Sequence, residues 1–218
     1  MAQSPLERGK LTFRRLAGLD RSGPPPPQTL PGQPWNPWTI PNAIGFIRLA
    51  LIPLFLALAL ASDGGTDALP LIVFAVIGWT DYLDGISARL TGQYSRLGTL
   101  LDPLVDRMLV LSGVIVCWHF ELLPRWGLGV LALRELVVMA LVRFGQHHGV
   151  ELKVNWLGRA GVWPVLSALF FGMAGVEWLA DACLYLGLVL VLGSTAQYVR
   201  EGFRFSAAQR ARPPSSSA

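Results

Sequence analysis

Charged side chains are scarce in this sequence. Asp, Glu, Lys and Arg make up 15% of its 218 residues, whereas a soluble domain usually carries about 25%. Hydrophobic residues make up 52%, and the mean hydropathy is +0.46. A chain with so little charge and so many apolar residues is expected to have lipid as its main solvent.

Cysteine is also rare, since only Cys117 and Cys183 are present. Both lie in apolar stretches and lack the companions that a zinc site needs. This excludes a disulfide framework and favours two small buried side chains.

The N-terminal residues have no apolar core of the kind that marks a secretory signal peptide, so we expect none. Residues 1–38 are basic and then rich in proline, which predicts a cytoplasmic arm beside the membrane. We expect residues 206–218 to form a disordered tail.

Long apolar runs, by contrast, are abundant. A helix needs about 20 mostly apolar residues to cross a bilayer. Six segments meet or approach that length: 40–62, 69–90, 98–119, 124–146, 157–176 and 178–200. The sequence therefore predicts an all-α integral membrane bundle of six transmembrane helices in one domain at 39–205, with neighbouring helices antiparallel.

Lysine and arginine fall on every second side of these segments. They precede the first segment, cluster at the second and fourth connections and follow the last segment, whereas the first and fifth connections have none and the third has only Arg125. Basic residues favour the cytoplasmic side. We expect both termini to be cytoplasmic and the protein to lie in the plasma membrane.

Four aspartates lie within the second and third apolar segments. Asp81 and Asp84 are three residues apart, and Asp102 and Asp106 are four apart, so each pair shares one helix face. Because the two helices are consecutive and antiparallel, we expect the carboxylates to meet in a cavity open to the cytoplasm. An all-oxygen ligand set favours Mg²⁺, Mn²⁺ or Ca²⁺, and two ions could share four carboxylates.

Other roles for these aspartates stay open at this point. They could form buried ion pairs with Arg89, Arg96, Arg107 or Arg134. They could also relay protons or cations in a small transporter, or belong to a non-catalytic scaffold. Ionisable groups inside a membrane are functional by default, which favours the metal site.

Small residues and one arginine accompany the aspartates. Gly85, Ala88 and Gly98 lack bulk, so a ligand could approach the helix backbone beside them. Arg89 can offer a forked set of donors to a phosphate. The pattern is typical of metal–phosphate chemistry.

One stretch of the sequence resembles a known signature. It reads Asp81-Tyr-Leu-Asp84-Gly85-Ile-Ser-Ala88-Arg89, then eight residues, Gly98, three residues, Asp102, three residues and Asp106. It is similar to the CDP-alcohol phosphotransferase motif D-x-x-D-G-x-x-A-R-x8-G-x-x-x-D-x-x-x-D at every fixed position. A match of this length is far more specific than a short glycine motif. The wider resemblance spans about residues 38–200.

The resemblance implies a six-helix, dimeric enzyme whose active site faces the cytoplasm and whose lipid substrate is CDP-diacylglycerol. It implies that the four aspartates hold two ions, Mg²⁺ or Mn²⁺, and that Asp106 is the general base. The positions that would bind the CDP-lipid are Asn42, Asp84, Gly85, Ala88, Arg89, Ser95 and Gly98.

The sequence indicates the acceptor alcohol less clearly than it indicates the CDP-lipid. Segments 95–103, 123–126, 134–135 and 156–159 resemble the branch of the family that uses sn-glycerol 3-phosphate. The residues that could bind the acceptor phosphate are Arg134, Arg143, Lys153 and Arg159, although Arg143 and Lys153 equally fit the cytoplasmic bias of basic residues. Val105-Asp106-Arg107 and Arg159-Ala160-Gly161 instead resemble CMP-forming cardiolipin synthases, which use phosphatidylglycerol. Six of the eight tryptophans cluster at predicted membrane interfaces, so we expect no nucleic-acid partner.

Overall fold

The computed structural model describes residues 38–91, 95–147 and 156–210. Within those ranges all regular structure is helical, as the sequence predicts. The helices are α1 Ile40–Leu60, α2 Ala68–Thr91, α3 Arg96–His119, α4 Arg125–His147, α5 Trp156–Met173 and α6 Glu177–Arg210. All six predicted segments are therefore helices.

Two hydroxyl side chains fix the starts of α1 and α3. The backbone amide of Asn42 donates to Thr39 Oγ1 at 3.4 Å, and the backbone amide of Gly98 donates to Ser95 Oγ at 2.9 Å. A hydroxyl just before a helix caps its otherwise unpaired amides in this way. Both caps involve predicted site residues, since Asn42, Ser95 and Gly98 are among the positions predicted to bind the CDP-lipid.

The turn after α1 also follows from the sequence. Ser62 Oγ donates to the Ala59 carbonyl at 2.6 Å and accepts from the Gly65 amide at 3.0 Å. Serine and glycine between two apolar runs are typical turn residues. The predicted end of the first segment near Ser62 is confirmed.

The last helix is longer than predicted. α6 continues to Arg210, ten residues past the apolar segment and into the stretch predicted to be a disordered tail. The added residues, EGFRFSAAQR, contain good helix formers and no proline. Helix propensity does not require apolar residues, so an end placed by hydropathy alone came too early.

The chain divides into two compact units. The first comprises Met1–Leu58 and Ile72–Leu109, and the second comprises Ala59–Leu71 and Val110–Ala218. In the described part of the first unit, α1, α2 and α3 contribute the buried apolar side chains Ile52, Phe55, Phe74, Ile77 and Val105. The rings of Phe55 and Phe74 lie with centroids 5.2 Å apart, which joins α1 to α2.

In the second unit, glycines bring α5 and α6 into close contact. A Cβ added to Gly161 would lie 2.8 Å from Val191 Cγ1, and one added to Gly187 would lie 2.8 Å from Val165 Cγ2. Small residues permit close helix approach where packing rather than water exclusion joins helices.

The polarity of the helices is opposite to that of a soluble bundle. Trp79 and Val189 are 72% and 69% exposed, whereas Arg48 is 0% exposed and Glu135 is 6% exposed. Exposed apolar side chains and buried charges are the arrangement expected when the surrounding solvent is lipid.

Within the described residues, two stretches are long and apolar enough to cross a membrane. They are Ile40–Leu60, which is α1, and Glu177–Gln197, which is the first part of α6. They coincide with the first and last predicted spans. The other four spans remain predictions, and charged residues such as Arg134 and Glu135 interrupt the apolar sequence of α4.

Candidate active site

A fully buried arginine on α1 lies at the centre of the candidate site. Arg48 Nη1 donates to Asp81 Oδ1 at 3.0 Å, and Nη2 donates to Asp106 Oδ1 at 2.9 Å. Its Nε donates to the Ile77 carbonyl at 3.2 Å. One guanidinium thus joins α1 to an aspartate on α2 and an aspartate on α3.

Asp81 and Asp106 are only half-exposed, so their charged carboxylates are partly removed from water. About 43–45% of each side chain is accessible. Burying a charge is costly unless it is paired, and Arg48 provides a partner to both carboxylates. A single positive charge between two negative ones leaves the trio with an excess of negative charge.

The third described aspartate adds to that excess. Asp102 lies one helical turn before Asp106 on α3 and is exposed. Its charge interacts with those of Asp106 and Asp81. The structure therefore brings two of the four predicted metal ligands, Asp81 and Asp106, together at Arg48, with Asp102 one helical turn away on α3. Asp84 belongs to α2, but its side chain lies outside the described residues.

The ligand chemistry fits a hard divalent cation. Asp81 and Asp106 present carboxylate oxygens side by side, and residues 81–106 contain no histidine or cysteine. Oxygen-only ligands suit Mg²⁺ and Mn²⁺. Among the described side chains, a set that omits Asp84, no three acidic, histidine or cysteine groups are arranged to hold a metal ion.

A second polar cluster lies between the start of α1 and the start of α3. Ser95 Oγ donates to Asn42 Oδ1 at 2.8 Å, and the same hydroxyl oxygen accepts from the Gly98 amide. Asn42 is 1% exposed and Ser95 is 6% exposed. Three residues predicted to bind the CDP-lipid are thus joined in one hydrogen-bonded cluster.

Gly98 leaves room for the side chains of this cluster. A Cβ at this position would lie 2.8 Å from Asn42 Oδ1 and 3.2 Å from Ser95 Oγ. Any side chain would therefore push the asparagine away. The sequence predicted that this glycine allows a ligand to approach, and the structure shows that it allows Asn42 to approach.

The remaining predicted CDP-binding residues belong to α2. Gly85, Ala88 and Arg89 lie in that helix, but their side-chain positions are outside the described residues. Their predicted roles stay predictions.

Arg134 has a defined environment within the second unit. Its Nε donates to Thr195 Oγ1 at 3.2 Å, its Nη2 donates to Ser194 Oγ at 3.4 Å, and its Nη1 forms an ion pair with Glu135. Both hydroxyls donate their own hydrogens to the Val191 carbonyl, so their lone pairs are available to Arg134. Of the partners that the sequence allowed for Arg134, the structure shows Glu135.

The other candidate acceptor-binding residues are not described in detail. Arg143 lies in α4 and Arg159 in α5, with side chains outside the described residues, and Lys153 lies entirely outside them. Whether they bind a phosphate stays a prediction.

Arg48 is the site residue that sequence reasoning missed. The ion-pair alternative named Arg89, Arg96, Arg107 and Arg134, yet the arginine that pairs with the aspartates is on α1. The signal was present, since Arg48 is the only charged residue in Ile40–Leu60. A lone arginine in an otherwise apolar span requires a buried partner.

Comparison with known protein families agrees with the aspartate motif. A family model described as CDP-alcohol phosphatidyltransferase matches residues 38–193. The chain belongs to this family. It is a transferase of phospholipid biosynthesis and a membrane enzyme, which confirms the resemblance seen in the sequence.

Relatives within the family carry two different names. A cardiolipin synthase (CMP-forming) from Streptomyces coelicolor is 37% identical over 73% of this chain and 77% of its own length. A CDP-diacylglycerol–glycerol-3-phosphate 3-phosphatidyltransferase from Bacillus subtilis is 31% identical over 61% and 75%. One of the same name from Salmonella typhimurium is 27% identical over 74% and 93%. This phosphatidyltransferase is similar to both kinds of enzyme.

Proposed function

We propose that the enzyme transfers a phosphatidyl group from CDP-diacylglycerol to the hydroxyl of an acceptor that contains glycerol phosphate, with release of CMP. The observation that carries this proposal is the gathering of motif aspartates from α2 and α3 around Arg48. It supplies the dense negative charge that a phosphate-binding metal centre needs.

The first candidate acceptor is sn-glycerol 3-phosphate, which would give phosphatidylglycerophosphate. The names of the relatives from Bacillus and Salmonella support this acceptor. So does the likeness of segments 95–103, 123–126, 134–135 and 156–159 to the branch that uses it. Arg134, Arg143, Lys153 and Arg159 are our candidates for binding its phosphate.

The second candidate acceptor is phosphatidylglycerol, which would give cardiolipin. This acceptor is favoured by the name of the Streptomyces relative. It is also favoured by the resemblance of Val105-Asp106-Arg107 and Arg159-Ala160-Gly161 to CMP-forming cardiolipin synthases. A direct assay of CMP release with each acceptor distinguishes the two.

In the proposed mechanism, Asp81, Asp84, Asp102 and Asp106 would hold two divalent cations, Mg²⁺ or Mn²⁺. When bound, the ions would offset the negative charge of the pyrophosphate and of the leaving CMP. Asp106 would accept the proton of the acceptor hydroxyl. The acceptor oxygen would form a bond to the lipid-linked phosphorus as the bond from that phosphorus to the CMP oxygen breaks.

The remaining residues would position the nucleotide. Asn42, Ser95 and Gly98 would offer their polar cluster to the CDP group, together with Asp84, Gly85, Ala88 and Arg89 on α2. Positioning and preorganised charge are the main contributions a protein can make to this kind of reaction.

The proposal includes a membrane arrangement. Six spans with both termini in the cytoplasm would place the motif end of α2 and α3 where CDP-lipid and soluble acceptor meet. The division into a basic arm at 1–38, a membrane domain at 39–205 and a C-terminal tail belongs to the same proposal, as does a homodimer. Native mass spectrometry in detergent would test the dimer.

An acceptor panel tests the reaction. Purified enzyme with CDP-diacylglycerol and Mn²⁺ is given sn-glycerol 3-phosphate, phosphatidylglycerol, serine or inositol phosphate, and CMP release is measured. We expect release with one glycerol-phosphate acceptor and loss of release on chelation of the metal. Release with none of the acceptors, or nucleotide-independent ion flux in proteoliposomes, would contradict the proposal and favour a small transporter.

A further inference from the structure

Arg48 joins two candidate metal ligands that belong to different helices. We propose that Arg48 is a positioning residue of the metal centre, because it fixes the orientation and separation of Asp81 and Asp106. This inference rests on the proposed function, since only there are these aspartates metal ligands.

The orientation of the guanidinium is itself determined by the protein. Nε donates to the Ile77 carbonyl of α2, and Ile77 lies one helical turn before Asp81. The planar group therefore has contacts to α2 at two points and to α3 at one. Since a guanidinium is rigid, the bond from Nε to Ile77 constrains where the carboxylates that Nη1 and Nη2 contact, those of Asp81 and Asp106, can lie.

Arg48 contacts one oxygen of each carboxylate. Both hydrogen bonds go to Oδ1, at 3.0 Å for Asp81 and 2.9 Å for Asp106. Fixing one oxygen of a carboxylate fixes the direction of the other. Partners of this kind orient metal ligands, and their removal typically weakens metal affinity by about 10- to 100-fold.

The charge of Arg48 has a second consequence. Without it, Asp81, Asp102 and Asp106 would repel one another across α2 and α3. One guanidinium reduces the repulsion but leaves an excess of negative charge that attracts divalent cations. The aspartates can thus stay together before a metal binds and still bind one.

A lysine at position 48 cannot make all of these contacts at once. Its ammonium is a single point charge on a flexible stem, whereas arginine presents donors in a fixed fork. Arg48→Lys therefore keeps the charge and loses the simultaneous contacts to Ile77, Asp81 and Asp106. Arg48→Gln loses the charge as well.

The experiment is a titration of purified protein with Mn²⁺ alone, with free ion followed by electron paramagnetic resonance. We expect Arg48→Lys to weaken Mn²⁺ binding by about tenfold or more, and Arg48→Gln to weaken it too. The Mn²⁺ concentration that gives half-maximal turnover should rise by the same factor. The kcat at saturating Mn²⁺ should fall by a smaller factor, because the ligands themselves remain.

The matched control is Arg125→Lys, since Arg125 forms an exposed ion pair with Glu121 and should leave Mn²⁺ binding unchanged. If wild-type protein binds no Mn²⁺, the proposed function fails together with this inference. If wild type binds Mn²⁺ and Arg48→Lys binds it equally well, only the inference is wrong. If both Arg48 variants fail to fold at every Mn²⁺ concentration, Arg48 serves the fold itself and the inference is also wrong.

Discussion

At the scale of single residues, Asp106 is a proposed metal ligand and also has two further roles. It is the proposed proton acceptor, and it also accepts a hydrogen bond from Arg48 at 2.9 Å. Asparagine keeps an oxygen that can accept from Arg48, whereas alanine would leave a buried guanidinium with one partner fewer. The amide is therefore the more informative substitution.

We expect Asp106→Asn to lower kcat by about 100-fold or more, because general-base catalysis contributes roughly 10²- to 10⁴-fold. The measurement is single-turnover CMP release, with circular dichroism to verify folding. Asp181→Asn on α6 is the control and should keep wild-type turnover. A folded Asp106→Asn enzyme with full activity would show that another group accepts the proton.

Gly98 allows a second prediction at this scale. In Gly98→Ala the new Cβ would meet Asn42 Oδ1 at 2.8 Å, and such overpacking typically costs about 1–3 kcal/mol. We expect a lower melting temperature and a higher KM for CDP-diacylglycerol, because the Asn42–Ser95 hydrogen bond must shift.

Gly78→Ala on α2 is its matched control, because a Cβ there would meet nothing within 4 Å. Alanine is the better helix former, so this variant should be as stable as wild type or more stable. Equal melting temperatures and equal KM values for the two variants would contradict the steric role of Gly98.

The sequence predicted the four aspartates but not Arg48, and the reason is physical. Spacing along a helix shows which residues share a face, so the aspartate pairs could be recognised from the sequence. The contacts of Arg48 join residues 33 and 58 positions apart, and such separations leave no local periodicity. The apolar residues around Arg48 also keep the mean hydropathy of the segment high, so a hydropathy reading does not reveal the single arginine.

At the scale of helices, the pair Arg134–Glu135 connects α4 to α6 within the second unit. Both side chains are buried, and Arg134 reaches the hydroxyls of Ser194 and Thr195 on α6. Adjacent residues on a helix do not normally face each other. Here Arg134 contacts Glu135 through Nη1 while its other two nitrogens bond to α6.

Breaking this pair should be costly. We expect Glu135→Gln to lower the free energy of unfolding by about 3 kcal/mol or more, because the change leaves a buried arginine without its counter-charge. Thermal unfolding in detergent, followed by tryptophan fluorescence, measures the effect.

The control for that substitution is Glu121→Gln, which removes the same charge from an exposed pair with Arg125. Exposed ion pairs contribute about 1 kcal/mol or less, so this variant should melt close to wild type. If the two glutamine variants melted alike, the buried pair would not stabilise the junction of α4 and α6.

Helix positions could be predicted well from the sequence, while one end could not. Apolar runs bounded by turn residues such as Ser62 located the six helices within a few residues. The end of α6 was missed because the residues after the apolar run are polar yet still favour helix. Hydropathy reports where a helix meets lipid and does not report where the helix stops.

At the scale of the whole molecule, exposed apolar side chains and buried charges agree with the membrane setting of the family. The distribution of lysine and arginine then predicts which connections face outward. Gly64 lies in the first connection, and its Cα is open, with Thr66 Oγ1 at 3.9 Å from an added Cβ. A cysteine there should be tolerated.

We expect Gly64→Cys, in a Cys183→Ala background, to react with a membrane-impermeant maleimide in intact cells, because this connection should face outward. Cys117 is buried and should contribute little labelling. Ala218→Cys, at the predicted cytoplasmic terminus, should react only after the membrane is permeabilised. Labelling of both sites from outside would contradict the six-span arrangement.

The position of Arg48 in the chain also bears on how the protein is made. α1 is synthesised first, so its arginine enters the membrane before any of the aspartates exist. The apolar remainder of α1 can offset the cost of inserting one arginine, which is about 2.5–3.5 kcal/mol on insertion scales. When α2 and α3 follow, their carboxylates meet a counter-charge already in place. Assembly of the helices then need not wait for a metal ion. Under the proposed metal dependence, a cell short of Mg²⁺ or Mn²⁺ would accumulate folded enzyme that becomes active when the ion returns.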